Sequence, residues 1–311
     1  MKIAVVGAGA VGGYFGGRLA AAGEKVTFLA RGSHLEAIRR EGLSIESALG
    51  NARIHPARAT GDPSAVGPVD LVMIAVKNWD TEEAARAARL FTRPDTAVVS
   101  FQNGVEAWDL IARILDRERV LGGVAYITAS IARPGVIGHA GTIQRLAFGD
   151  FEGARSEAAE ALLEACRRAG IDATISDDIR SAIWEKFVFL TAFSAMTALA
   201  RLPIGRIRED PDTRWLLEEA MREAAAVGRA RGVPLPEEVV ARQMGLCDRL
   251  PADSVSSMLH DLSRGHRLEA PWLSGTVARM ARDSGIAAPV QSFAAAILGL
   301  RAGGSAAEAG A

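Results

Sequence analysis

The sequence predicts an α/β chain, with an N-terminal doubly wound parallel sheet followed by an all-helical C-terminal domain. Three observations carry this prediction. Short apolar runs alternate with helical patterns through the first half. A glycine loop, Gly7-Ala8-Gly9-Ala10-Val11-Gly12, stands directly between the first apolar run and the first helical stretch. Beyond about residue 177 the apolar spacing is helical to about residue 300, broken only by short Pro and Gly stretches.

Taken in order, residues 2–6 (KIAVV) form a buried strand, and a helix over 10–22 follows the loop and stops at Gly23. A second strand covers 25–30 and a third 69–76. Thr81, Glu82 and Glu83 open a helix with a capping hydroxyl and first-turn acids. A fourth strand at 96–101 precedes a helix from about residue 105, and strands at 120–128 and 143–148 flank a Pro134-Gly135 turn. Near-continuous apolar strands separated by helices indicate a sheet covered on both faces. A helix over 155–169, ended by Gly170, and a short strand at 173–176 lead to Asp177 and Asp178, which suit a helix N-terminus. Helices then run to about residue 300, with breaks at Pro203, 232–236, Pro251, Pro271 and Pro289. The expected domains are 1–172 and 173–302, with a disordered tail at 303–311, where apolar periodicity is missing.

Composition narrows the function classes. The chain has 311 residues, 49% of them hydrophobic, and a net charge of −1, which gives no basis for nucleic-acid or membrane partners. No uninterrupted apolar run reaches membrane-spanning length, and the opening segment is too glycine-rich and strand-like for a signal peptide. Two cysteines, Cys166 and Cys247, without CxxC spacing, point to a cytoplasmic protein without disulfides. His34, His55, His139, His260 and His266 lack metal-ligand spacing, so no metal site is expected, and His139 reads as part of a turn. Apolar stripes on the C-terminal helices would suit a homodimer, although buried and interface faces look alike in sequence.

GxGxxG between a strand and a helix is the fingerprint of a Rossmann dinucleotide site. The first glycine permits the turn, the second admits a pyrophosphate, and the third lets helix and strand pack closely. The residue closing the second strand then selects the cofactor. Here it is Arg31, with no acid before Glu36. A guanidinium suits a 2′-phosphate, which points to NADP(H), whereas a solvated surface arginine is the alternative in a chain with 32 of them. Lys77 and Asn103 stand at two further strand ends, where ligands of such sheets bind, although Asn103-Gly104 also reads as an ordinary turn.

In the C-terminal domain, Lys186 interrupts the apolar stretch AIWEKFVFLTAFSAMTALA, in a chain that uses only four lysines. Helical spacing stacks Lys186 with Leu190 and Ser194. A desolvated lysine is a better proton donor near neutrality, as ketone reduction requires. A lysine at the domain rim paired with a carboxylate fits the same spacing. Phe187, Phe189 and Phe193 read as helix packing.

The motifs GAGAVG, Arg31, VKNW, FQNG, IWEKF, SSMLHDL and LEAPWLSG, in this order from Met1 to about Pro289, closely resemble the ketopantoate reductases (2-dehydropantoate 2-reductases). The resemblance implies an active site in a cleft between a Rossmann domain and a helical domain. It implies Lys186 as general acid, Glu269 near the nicotinamide ribose and the lysine, Lys77 and Asn103 on NADPH, and Ser130 bordering it. Ser257, Met258, Leu259 and His260 would lie against the substrate, beside Leu190 and Ser194. The implied reaction is NADPH-dependent reduction of a 2-oxo acid to a 2-hydroxy acid, namely ketopantoate to pantoate in pantothenate biosynthesis. Leu190, Ser194 and Ile204 depart from the family pattern, which commonly places asparagines there, so a bulkier or more apolar oxo or imino substrate is the rival. A non-catalytic NADP(H) sensor is the rival from another class, and a retained Lys186 and Glu269 argue against it.

Overall fold

The computed structural model describes residues 1–153 and 156–304. The chain divides into two compact units, one made of Met1–Gln102 and Glu106–Ala182, the other of residues 103–105 and 183 onward.

In the first unit the order is β1 (Lys2–Val6), α1 (Ala10–Ala21), β2 (Lys25–Leu29), α2 (Gly32–Glu41), β3 (Leu43–Ser47), β4 (Ala52–Ile54), β5 (Arg58–Thr60) and β6 (Leu71–Ile74). Then come α3 (Thr81–Ala88), β7 (Ala97–Ser100), α4 (Ala107–Leu115), β8 (Val120–Arg133), β9 (Val136–Gly149), α5 (Glu157–Arg168) and β10 (Asp172–Ile175). The strands form one sheet in the order β4-β3-β9-β8-β7-β6-β1-β2-β5, with β10 beside β9. The run from β5 to β8 is parallel throughout, as the alternation of strands and helices requires. The chain winds outward in both directions from β1 and β6, so the sheet's switch point lies between these two strands.

Side chains of β1 show why its sequence is apolar without alternation. Ile3 and Val5 belong to the core cluster that includes Tyr14, Phe15 and Phe28, whereas Ala4 and Val6 pack with Val72, Ile74, Ala85 and Phe91 on the opposite face. Both faces are covered, so every position of the strand is buried except the first.

The structure departs from the sequence reading at the β8–β9 hairpin and at His139. The strands around Pro134-Gly135 are longer than expected, 14 residues each, and pair antiparallel as a hairpin, so the sheet is mixed. His139 lies within β9 rather than in a turn, is buried, and packs against the Tyr14 ring at 4.7 Å with the planes tilted by 54°. Its Nδ1 faces the Ser47 hydroxyl at 2.8 Å and its Nε2 the Ile143 carbonyl at 3.0 Å, which ties β9 to β3.

The second unit holds α6 (Ile179–Ala200), apart from its first four residues, then α7 (Ile204–Glu209), α8 (Pro211–Ala230), α9 (Val239–Arg249), α10 (Ser257–Ser263), α11 (Ser274–Asp283) and α12 (Pro289–Gly299). Helix α6 is long and apolar enough to cross a membrane by length and composition, yet 67% of its most apolar window is buried inside the protein. Trp184 meets Phe187 edge to face at 5.4 Å, and Phe189 stacks on Phe193 at 5.2 Å. Helix α12 is anchored by the buried Glu223 of α8, whose carboxylate accepts from the Val290 and Gln291 N–H groups at 2.8 and 2.7 Å. Residues 303 and 304 continue a turn in which Gly304 N–H donates to the Arg301 carbonyl. The rest of the expected disordered tail, 305–311, and the first residue of the expected helix at 155–169 lie outside the described residues.

Candidate cofactor loop and lysine cluster

In the first unit the glycine loop closes on β2, where the N–H groups of Gly7 and Ala8 both donate to the Leu29 carbonyl at 3.1 Å. Gly7 has φ +97°, and a Cβ there would come within 2.8 Å of Val76 N, so the loop after β6 presses directly on it. A Cβ on Gly12 would stand 2.2 Å from the Gly7 carbonyl, which enforces close helix packing. Gly9 behaves differently. A Cβ at this position meets nothing within 4 Å, so its hydrogen leaves bare backbone facing open space. Gly9 is also the N-cap of α1, which has no side-chain cap and no acid in its first turn. Uncapped N–H groups, a positive helix end and open backbone suit a pyrophosphate, so the residues present fit a dinucleotide.

Sequence reasoning missed a residue that braces this loop. The Gly135 N–H donates to His34 Nδ1 at 3.1 Å, so Nε2 carries the proton and donates to the Ala8 carbonyl at 2.8 Å. The neutral ring thus joins the glycine loop to the β8–β9 turn. Burial holds the His34 pKa below 6.5, opposed by the bond to Ala8. Nothing in the residue spacing signals a contact across 101 positions.

Arg31 is the N-cap residue of α2, and its guanidinium pairs with the Glu83 carboxylate of α3 at 2.5 Å. Lys77 follows β6, with its ammonium 5.8 Å from the centroid of the Trp79 ring. Ser130 is exposed on β8 and pairs with Gly138 of β9.

In the second unit Lys186 donates to the Asn103 side-chain oxygen at 2.8 Å. Both residues belong to this unit although Asn103 follows β7, because residues 103–105 cluster with the helices. Desolvation lowers the Lys186 pKa from 10.5 to about 8, and the negative charge of Glu269, itself buried, partly opposes that fall. The lysine and the carboxylate, expected near one another, are therefore joined by the Asn103 amide oxygen, expected separately as a cofactor contact, in one cluster. It can hold a proton at neutrality and release it readily.

The same face of α6 continues with Leu190, which is partly exposed, and Ser194, which is fully buried and whose hydroxyl has no hydrogen-bond partner among the described residues. Ile204 is fully buried. On α10, Ser257 and His260 are exposed whereas Met258 and Leu259 are buried. This short helix is held by Ser256, whose Oγ accepts from Leu259 N–H at 3.1 Å and lies 2.7 Å from the Thr197 hydroxyl of α6. Among the described residues no group of three or more His, Cys, Asp or Glu side chains is placed to hold a metal ion.

The model of the ketopantoate reductase PanE/ApbA family matches residues 3–153, and the model of its C-terminal domain matches residues 178–302. The chain is 35% identical over 292 residues to a 2-dehydropantoate 2-reductase of Halobacterium salinarum, covering 93% of this chain and 95% of that one. It is 32% identical over 290 residues to YkpB, an oxidoreductase of Bacillus subtilis, with 93% and 95% covered. Among solved structures, a PanE/ApbA family ketopantoate reductase from Ralstonia eutropha superposes with a TM-score of 0.89 at 34% identity, covering 97% of this chain and 98% of that one.

Proposed function

The chain belongs to the ketopantoate reductase family of oxidoreductases, and on that premise we propose that it is a cytoplasmic, NADPH-dependent reductase converting a 2-oxo acid to its 2-hydroxy acid, with ketopantoate to pantoate as the reaction. NADPH, when bound, supplies the hydride to the ketone carbon. The loop from Gly7 to Gly12 and the first turn of α1 bind the pyrophosphate, and Arg31 binds the 2′-phosphate. Lys77, Ser130 and Asn103 are the other cofactor contacts, and Glu269 faces the nicotinamide ribose.

Lys186 acts on the substrate. Its ammonium donates a proton from Nζ to the ketone oxygen as negative charge develops there, then regains one from solvent. Asn103 fixes the direction of Nζ, and Glu269 keeps the ammonium charged at neutrality. On α10, the exposed Ser257 hydroxyl donates to the substrate carboxylate, and His260 flanks it. Leu190, Ser194, Met258 and Leu259 shape the rest of the substrate's surroundings.

The observation that carries this reading is the 2.8 Å bond from Lys186 to Asn103 in a setting that lowers the lysine pKa to about 8. NADPH oxidation with ketopantoate tests it. Robust turnover supports the assignment. Tight NADPH binding without turnover of any 2-oxo acid contradicts it.

A second reading, reduction of a more apolar 2-oxo acid, is favoured by Leu190. It stands one turn beyond Lys186 on the same helix face, partly exposed, and the next hydroxyl, Ser194, is enclosed. Higher kcat/KM for an alkyl-substituted 2-oxo acid than for ketopantoate would decide for it.

A further inference from the structure

The contact between Arg31 and Glu83 has a consequence for cofactor choice. The guanidinium that would meet a 2′-phosphate is held at 2.5 Å by a carboxylate, with both side chains about two-thirds exposed, at 68% and 66%. Glu83 lies in the first turn of α3, beside Glu82. Glu82 has its own partner, Arg86, at 2.7 Å, so the charge left to act on Arg31 is that of Glu83.

We propose that Glu83 is a specificity-determining residue that limits the preference for NADPH over NADH by competing with the 2′-phosphate for Arg31. The inference rests on the reading of Arg31 as the phosphate-binding residue.

An exposed ion pair is worth about 0–1 kcal/mol, so the contact is readily broken by a stronger partner. A phosphomonoester is such a partner, with about −1.5 to −2 charge near neutrality and three acceptor oxygens for the arginine fork. Its arrival displaces Glu83 from the guanidinium, and the displaced carboxylate then repels the phosphate at short range. NADH has no 2′-phosphate and leaves the pair intact. Glu83 therefore penalises the phosphorylated cofactor alone.

The test is dissociation constants for NADPH, NADH and adenosine 2′,5′-bisphosphate, measured on the full chain at low ionic strength. Glu83→Gln removes the charge, keeps the size and sits on an exposed helix surface. It is expected to tighten NADPH and the bisphosphate roughly two- to fivefold, the scale of one exposed charge interaction, and to leave NADH unchanged. The gain should shrink in about 1 M salt, where the screening length is about 3 Å. It should also be smaller in the Arg31→Ala background, where no guanidinium remains to compete for. If Arg31→Ala weakens NADPH selectively while Glu83→Gln changes nothing, the inference fails and the reading of Arg31 stands. If Arg31→Ala weakens NADPH and NADH alike, the reading of Arg31 fails and the inference with it. An equal shift of both cofactors in Glu83→Gln would show a structural effect on α3 and would also overturn the inference.

Discussion

In the proposed reaction Lys186 joins chemistry and stability in one side chain. Its ammonium is desolvated, and a fall in pKa from 10.5 to about 8 costs the folded chain on the order of 3 kcal/mol near neutrality. Between about 8 and 10.5 the unfolded chain keeps a proton that the folded chain has released, so this penalty eases as pH rises through that window. Lys186→Met is therefore expected to raise the midpoint of urea unfolding at neutral pH while slowing reduction roughly a hundred- to ten-thousandfold; a lowered midpoint would show that the ammonium is not penalised. The lysine itself was conspicuous in the sequence, as one of four in the chain and surrounded by apolar residues. Asn103 was visible as a strand-end residue, but its pairing with Lys186 was not, because the two lie 83 positions apart and only the fold brings them together. Asn103→Ala should lower kcat for reduction more than it raises the Kd of NADPH. The reverse order would make Asn103 a cofactor contact first and a lysine partner second.

At the scale of elements, the sequence was most informative where burial is two-sided or helical. The strands β1, β2, β6 and β7 and the helices α1, α3 and α4 were all visible as apolar runs or capped helical patterns. Helix α2 and the strands β3, β4 and β5 were not anticipated. β4 and β5 have three residues each and no fully apolar run, and β3 buries only Leu43 and Ile45. Such strands are specified by neighbours already in place rather than by their own pattern. The same limit hid the His34 brace. Because burial holds the His34 pKa below 6.5, the unfolded chain is protonated first as pH falls. The stability that the neutral ring contributes is full above about 6.5 and declines as pH drops through that value toward the folded pKa. Protonation of Nδ1 also removes the acceptor for the Gly135 N–H. His34→Phe should flatten this acid limb in a titration of unfolding midpoint against pH and weaken NADPH binding at neutral pH, whereas an unchanged limb would exclude His34 as its origin. On the helical side, Glu223→Ala removes the acceptor for two N–H groups at the start of α12 and should cost about 2–3 kcal/mol in chemical unfolding. A loss under about 0.5 kcal/mol would mean that water replaces the carboxylate without penalty.

Over the whole molecule, the sequence supplied the order of two kinds of structure and the motifs that identify the family, since both depend on local spacing. It did not supply the antiparallel hairpin of β8 and β9, because a pair of long strands around a turn reads the same whether the hairpin extends the sheet or ends it. Nor did it show that residues 103–105 cluster with the helical unit although they follow a strand of the other. That assignment puts Lys186, Asn103 and Glu269 in one compact unit, with the glycine loop and Arg31 in the other. If Lys186 is the acid and makes no cofactor contact, its substitution should change proton delivery without changing cofactor affinity. The most direct test follows kcat for NADPH-driven reduction of the best 2-oxo acid against pH, in the wild-type chain and in Lys186→Ala. The wild type should lose activity as pH rises through about 8, and the variant should be slower by roughly a hundred- to ten-thousandfold with no break there, its NADPH affinity unchanged. A variant with near-full turnover and the same pH profile as the wild type would contradict the assignment of Lys186 as the acid.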